Sequence, residues 1–149
     1  LARSAQTLGI RMQKLHRSWR AAPPATAESI RSLRSAVGEN LPKEYVELLA
    51  SSNGGEAALS VQPYNLCLDS AEDALHYWNS GTYRNDFPGF FVIGGSGAGE
   101  YIAFDTRQSL PWPVVALDMT NTDLSESVLP IAKDFSGLLA LVGVKRADA

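Results

Sequence analysis

Apolar residues near the start of the chain recur as Leu8, Met12, Leu15 and Trp19, at i, i+4, i+7 and i+11. That spacing predicts one face of an amphipathic helix. Pro23-Pro24 then breaks the pattern and forms a short stiff connector. Thr26 precedes a second helical stripe, Ile30, Leu33 and Val37, which stops at Gly38. A third helix starts at Asn40-Leu41-Pro42, buries Tyr45, Leu48 and Leu49, and ends at Asn53-Gly54-Gly55.

The period then changes from helical to alternating. Residues 58–62 and 64–69 predict short strands about Pro63, with Tyr64, Leu66 and Leu68 on one face. Ser70 with Asp73 reads as a capping box for a helix through Ala74, Leu75 and Trp78. Residues 79–89 read as a loop, and Phe90 to Ile93 as a buried strand. A glycine turn, Gly94 to Gly99, leads into a strand from Glu100 to Asp105, whose alternation sets Tyr101 and Ala103 opposite Ile102 and Phe104. Residues 114–119 form another strand, 121–127 a polar loop, and Asp134 caps a last helix with Phe135, Leu138, Leu139 and Val142 inward. Helices first, hairpin-linked strands next and a helix last predict an α+β fold. Its expected form is a single domain with a central antiparallel sheet, flanked by N-terminal helices and a C-terminal helix.

Composition changes this picture in one respect. The 149 residues carry a net charge of −3, which hides a split. Residues 1–22 hold five basic groups and no acidic one, while 23–149 hold eight basic and sixteen acidic groups, a net of −8. The expected organisation is therefore a basic amphipathic helical arm over 1–22 and an acidic domain over 26–149. The arm reads as a first helix docked by its Leu/Met/Trp face, or as a targeting, membrane-surface or nucleic-acid segment. The acidic body is a poor match for a phosphate backbone. No apolar run reaches the ~18 residues that a membrane span requires. The single cysteine, Cys67, leaves no internal disulfide and no cysteine-cluster metal site. A reducing, cytoplasmic setting is the expectation.

Each chemical motif has a plainer structural reading. Gly94-Gly95-Ser96-Gly97-Ala98-Gly99 resembles a phosphate loop, yet a strand follows it where the binding versions run into a helix, and Glu100 would repel phosphate. A hairpin turn is the preferred reading. Cys67 with His76 or His16 is the candidate nucleophilic pair, but Cys67 lies in an alternating strand, where a free thiol behaves as a small hydrophobe. Glu72 and His76 share a helix face, with no further histidine nearby in sequence to complete a metal site. Glu100 and Asp105 flank one strand but fall on opposite faces. No cofactor or metal site is expected.

Three blocks carry a resemblance. The first is Leu41-Pro42-x-x-Tyr45-x-x-Leu48-Leu49-x-x-x-Asn53-Gly54-Gly55. The second is Phe91-x-Ile93-Gly94-x-x-Gly97-x-Gly99-Glu100-x-Ile102-Ala103-Phe104-Asp105. The third is Val114-Val115-x-Leu117 followed by Ile131-Ala132-Lys133-Asp134-Phe135-x-x-Leu138-Leu139. Together they resemble, in order and spacing over roughly residues 26–142, the signatures of the SUKH superfamily. That group includes the fungal Smi/Knr-type cell-wall regulator and many bacterial immunity proteins. Asp134 stands where the pattern usually has Ser, and Gly137 where an acidic residue often sits.

The resemblance implies an α+β fold, no catalysis, no cofactor and action through protein binding. In bacteria that is commonly the neutralisation of a cognate toxin of a polymorphic or contact-dependent system. An acidic body suits a basic protein partner. Contacts are expected on variable loops, at Tyr83, Arg84 and Asp86, at Ser96 and Glu100 in the glycine turn, and at Asp123 and Glu126. The alternatives are a regulatory adaptor of the same fold, or a small hydrolase or ligand-binding protein using Cys67 or Glu100 beside the glycine turn.

Overall fold

The computed structural model describes residues 17–143. Five helices are found there: α1 (Ala27–Val37), α2 (Lys43–Ser51), α3 (Ala71–Ser80), α4 (Leu124–Ser127) and α5 (Phe135–Leu139). The seven strands are β1 (Arg20–Ala21), β2 (Gly55–Ala58), β3 (Asn65–Leu68), β4 (Phe90–Gly95), β5 (Glu100–Asp105), β6 (Val114–Asp118) and β7 (Val128–Ala132). They form one antiparallel sheet in sequential order, so every neighbour in space is a neighbour in sequence. The α+β expectation is correct.

The strand alternation sorts the core into two layers. Phe91, Ile93, Ile102, Phe104 and Val114 face the helices, where they meet Leu33, Tyr45, Leu48, Leu49 and Phe135. Phe90, Val92, Ala103, Val115 and Leu117 face the other way, under Tyr83 and Phe87 from the segment after α3. A register shift between Val92 and Gly94 lets β4 keep Ile93 on the helix side while it bends toward the glycine turn.

The three sequence blocks meet at one place. Tyr45 of α2 stands edge-on to Phe91 of β4, Phe104 of β5 and Phe135 of α5, with ring centroids 6.0, 5.5 and 5.5 Å away. Edge-to-face pairs at such separations add to plain burial. Leu41, Leu49 and Leu138 close the same layer, with Leu139 partly buried at its margin. The blocks are far apart in sequence because each supplies one wall of this cluster.

The helix caps form as their residues predict. Thr26, Ser70 and Asp134 accept from the amides of Ser29, Asp73 and Gly137. Asn53 does more than end a helix. Its Oδ1 accepts from the Ala71 amide at 2.7 Å, and its Nδ2 donates to Glu72 at 2.8 Å, so the end of α2 holds the start of α3. Asn53→Ala is expected to cost about 1–2 kcal/mol, read as a lower midpoint in urea with an unchanged slope.

Four expectations about elements need correction. The strand expected over 58–62 lies at Gly55–Ala58; residues beyond it turn, with the Tyr64 amide donating to the Val61 carbonyl. The N-terminal helix does not extend through Trp19, because residues 17–18 turn and Arg20–Ala21 pair with Glu56 and Gly55. Trp19 is buried and donates from Nε1 to Ser52 at 3.2 Å, and a side chain at Gly55 would collide with its ring. Leu8, Met12 and Leu15 lie outside the described residues. The polar loop over 121–127 contains α4, and β7 follows it. Pro130 disguises β7 in the sequence and is tolerated because that strand is an edge of the sheet. Finally, α5 ends at Leu139, and Val142 reaches the core by a bridge to Leu59.

Candidate functional site

The second face of the sheet is covered over only part of its extent. Tyr83 and Phe87, with Leu124 and Val128 at the margin, roof the strands where Phe90, Val92, Ala103 and Leu117 lie. Toward the glycine turn the roof stops. There Gly95 pairs with Cys67 on one side and Tyr101 on the other, and having no side chain it leaves backbone as a floor. The result is a cleft of about 310 Å³ lined by Asp69, Tyr77, Thr82, Tyr83, Val92, Gly94, Gly95, Tyr101 and Met119. Tyr77 and Met119, 39% and 40% exposed, are two of the five large apolar side chains left open among the described residues.

Asp69 is the one charged residue lining this cleft. Burial, reinforced by the nearby Asp73 carboxylate, raises its carboxyl from an ordinary 3.8 to about 6. Among the described residues nothing donates a hydrogen bond to its carboxylate. Below about pH 3.8 the group is protonated whether the chain is folded or not, so it costs nothing there. Between 3.8 and about 6 the folded chain holds the proton longer, so stability falls as pH rises, and above 6 the penalty is complete. Asp69→Asn is therefore expected to raise stability by about 1–2 kcal/mol near pH 8, after allowance for solvent screening, and by nothing near pH 3. Melting curves at the two pH values check this.

The seven residues expected to make contacts fall in different surroundings. Tyr83 forms a wall of the cleft and does not stand on an open loop: it is 2% exposed, its hydroxyl accepts from the Val92 amide, and burial pushes that hydroxyl up to about 12. Ser96 is buried too. It donates to the Glu100 carboxylate and accepts from the Ala98 and Glu100 amides, which closes the glycine turn as a hairpin. Glu100 is partly exposed and lies opposite Asp118 across β5 and β6. Arg84 is exposed, with its guanidinium 4.4 Å above the Trp78 ring and bonded to the Trp78 carbonyl. Asp86 is exposed. Asp123 caps α4 through Ser125, and Glu126 accepts from Asn121; both are on the surface. The loops bearing Arg84 with Asp86 and Asp123 with Glu126 lead away from Thr82 and Met119 at the cleft.

The remaining motif residues do structural work. Pro42 leads into α2 and Asp105 ends β5. Asp105 is 4% exposed; burial opposes its charge, but hydrogen bonds from the Arg107 side chain and backbone outweigh that and hold its carboxyl below the usual range. Arg107 also lies 4.6 Å from the Phe90 ring centroid. A side chain at Gly54 or Gly94 would collide with the backbone of Leu68 or Cys67, while Gly97 and Gly99 turn the chain between β4 and β5.

Cys67 is half-buried on the second face and not sealed among apolar side chains. Its Sγ lies 3.4 Å from Asn65 Nδ2. Burial and the Glu56 carboxylate push the thiol upward, away from the thiolate that nucleophilic chemistry uses. His76 lies on another groove, with Glu72, Leu75, Asn79 and Ser80, so Cys67 and His76 do not share a pocket; His16, the alternative partner, lies outside the described residues. Among the described residues no helix is long and apolar enough to cross a membrane, and no cluster of three metal-ligating residues occurs.

Sequence reasoning missed Asp69, Tyr77 and Met119 as lining residues of one cleft. The available signal was alternation, which sets Tyr101 opposite Ile102, and Cys67 and Asp69 opposite Leu66 and Leu68.

Comparison with curated proteins returns no match. Among family profiles, the SMI1 / KNR4 family (SUKH-1) matches residues 24–141, a span that contains all three blocks and the aromatic cluster they build. The chain belongs to the SMI1 / KNR4 family (SUKH-1).

Proposed function

We propose that the protein is a cytoplasmic immunity protein, which binds and neutralises a cognate toxin of a bacterial polymorphic or contact-dependent system without catalysis of its own. The contact surface is the open end of the second sheet face: the cleft, with Arg84, Asp86, Glu100, Asp123 and Glu126 on the loops around it. The observation that carries this reading is the unroofed cleft itself. It brings two of the five exposed large apolar side chains of the described residues, Tyr77 and Met119, beside a partly buried carboxylate. Apolar and aromatic centres inside a polar rim are the anatomy of protein interfaces. Family membership supports protein binding, and the acidic body favours a basic partner, such as a nuclease, by steering its approach. The raised Cys67 thiol supports binding over hydrolysis.

Co-expression with the toxins encoded beside the gene tests this. Restored growth together with a stable complex is expected. Failure to bind or neutralise any of them would overturn the immunity reading, and capture of a different protein by the same face would favour the regulatory adaptor.

A further inference from the structure

We infer that the cleft is a socket for a cationic side chain, the guanidinium or ammonium of an arginine or lysine that the protein partner inserts between Asp69, Tyr77, Tyr83 and Tyr101. This rests on the binding reading above and adds the chemistry of the group bound.

Two elements define such a seat: an oxygen acceptor and an aromatic face within reach of the same cation. The chain uses that pairing twice on itself. Arg84 lies over Trp78 and donates to its carbonyl, and Arg107 lies over Phe90 and donates to Asp105. In the cleft the acceptor is Asp69, and the rings are Tyr77, Tyr83 and Tyr101; the last two have centroids 6.1 Å apart at 52°. No arginine or lysine lines it. Exposed Tyr77 and Met119 on the rim are placed to cover the apolar stem of a long basic side chain.

Electrostatics favours the same occupant. The charged group that acts on Asp69 is the Asp73 carboxylate on α3, which is negative; Asp69 in turn raises the Cys67 thiol on β3 and the hydroxyls of Tyr83 and Tyr45. A carboxylate held at a cost to folding and bonded to nothing described gains most from a cation. A neutral or acidic ligand would leave it unpaired or repel it.

Titration with N-acetyl-arginine methylamide, followed by NMR at the Asp69 carboxyl carbon and the rings of Tyr77 and Tyr101 near pH 8, tests the proposal. Saturable shifts confined to these groups are expected, with a dissociation constant on the order of 1–10 mM. The matching citrulline compound, which is neutral and nearly isosteric, should bind at least about tenfold more weakly. The capped lysine compound should shift the same signals. Asp69→Asn, whose folding is checked by its melting curve, should abolish the response. Equal binding of citrulline, shifts scattered over the acidic surface, or an undiminished response in Asp69→Asn would each overturn the socket. Toxin neutralisation without any capped-arginine response removes the socket alone. A local arginine response without toxin neutralisation removes the immunity reading alone.

Discussion

Tyr45→Ala is expected to lower the free energy of unfolding by about 3–5 kcal/mol, among the largest effects of any single truncation in the chain. The ring is fully buried and edge-on to Phe91, Phe104 and Phe135, so its loss opens a cavity where all three sequence blocks meet. Part of that cluster cannot collapse to fill the space, because Phe91 and Phe104 are paired through the β4–β5 ladder. Tyr45→Phe should behave in the opposite way. The Tyr45 hydroxyl is buried with no hydrogen-bond partner among the described residues, and burial raises it far above the ordinary tyrosine range. Removing it should leave stability unchanged or raise it by about 1 kcal/mol. Urea unfolding of the two variants separates these effects. Equal losses would mean that the hydroxyl has an essential partner.

Gly94→Ala should be comparably severe, at about 3 kcal/mol or more. A methyl at this position would stand 2.1 Å from the Cys67 carbonyl oxygen. That oxygen belongs to backbone fixed between β2 and β4, so relief requires moving β3 as a whole. Gly97→Ala offers the contrast. Gly97 needs its positive φ of 78°, but its nearest obstacle is the Cys67 Sγ at 3.6 Å, so the cost should be about 1 kcal/mol. Denaturant midpoints of the two variants, with amide spectra to follow β3, check the ranking. A mild Gly94→Ala would show that β3 and β4 lie farther apart than described.

The parts of the fold legible in the sequence are those that local chemistry dictates. Thr26, Ser70 and Asp134 announce helix starts because an oxygen at that position satisfies an amide within three residues. The alternation from Glu100 to Asp105 gives the two faces of β5 because strand geometry permits nothing else. The missing pieces are held from a distance. β1 is two residues long and exists because Trp19 settles on Gly55 and Ser52, which no local pattern records. β7 carries Pro130, whose tolerance depends on its place at the sheet edge. The cleft was the least legible feature. It is created by where the roof of Tyr83 and Phe87 stops and by the bare floor at Gly95, both properties of the assembled sheet. Hence Ser96, a polar residue in an apparent loop, lies inside, and Tyr83, nearly buried, forms a wall of the cleft with Asp69 and Tyr77.

The most direct measurement is calorimetric titration of the proposed partner, a toxin domain identified by the co-expression test, into the wild-type chain and three surface variants. Tyr77→Ala and Met119→Ala remove exposed side chains from the cleft rim; Leu110→Ala removes one that is 55% exposed and lies beyond the opposite end of β5. If the open end of the second face binds the toxin, the rim variants should each raise Kd about tenfold or more, and Leu110→Ala should leave it unchanged. Unaltered binding by both rim variants, with the loss falling on Leu110→Ala, would contradict the assignment of the cleft as the partner-binding face.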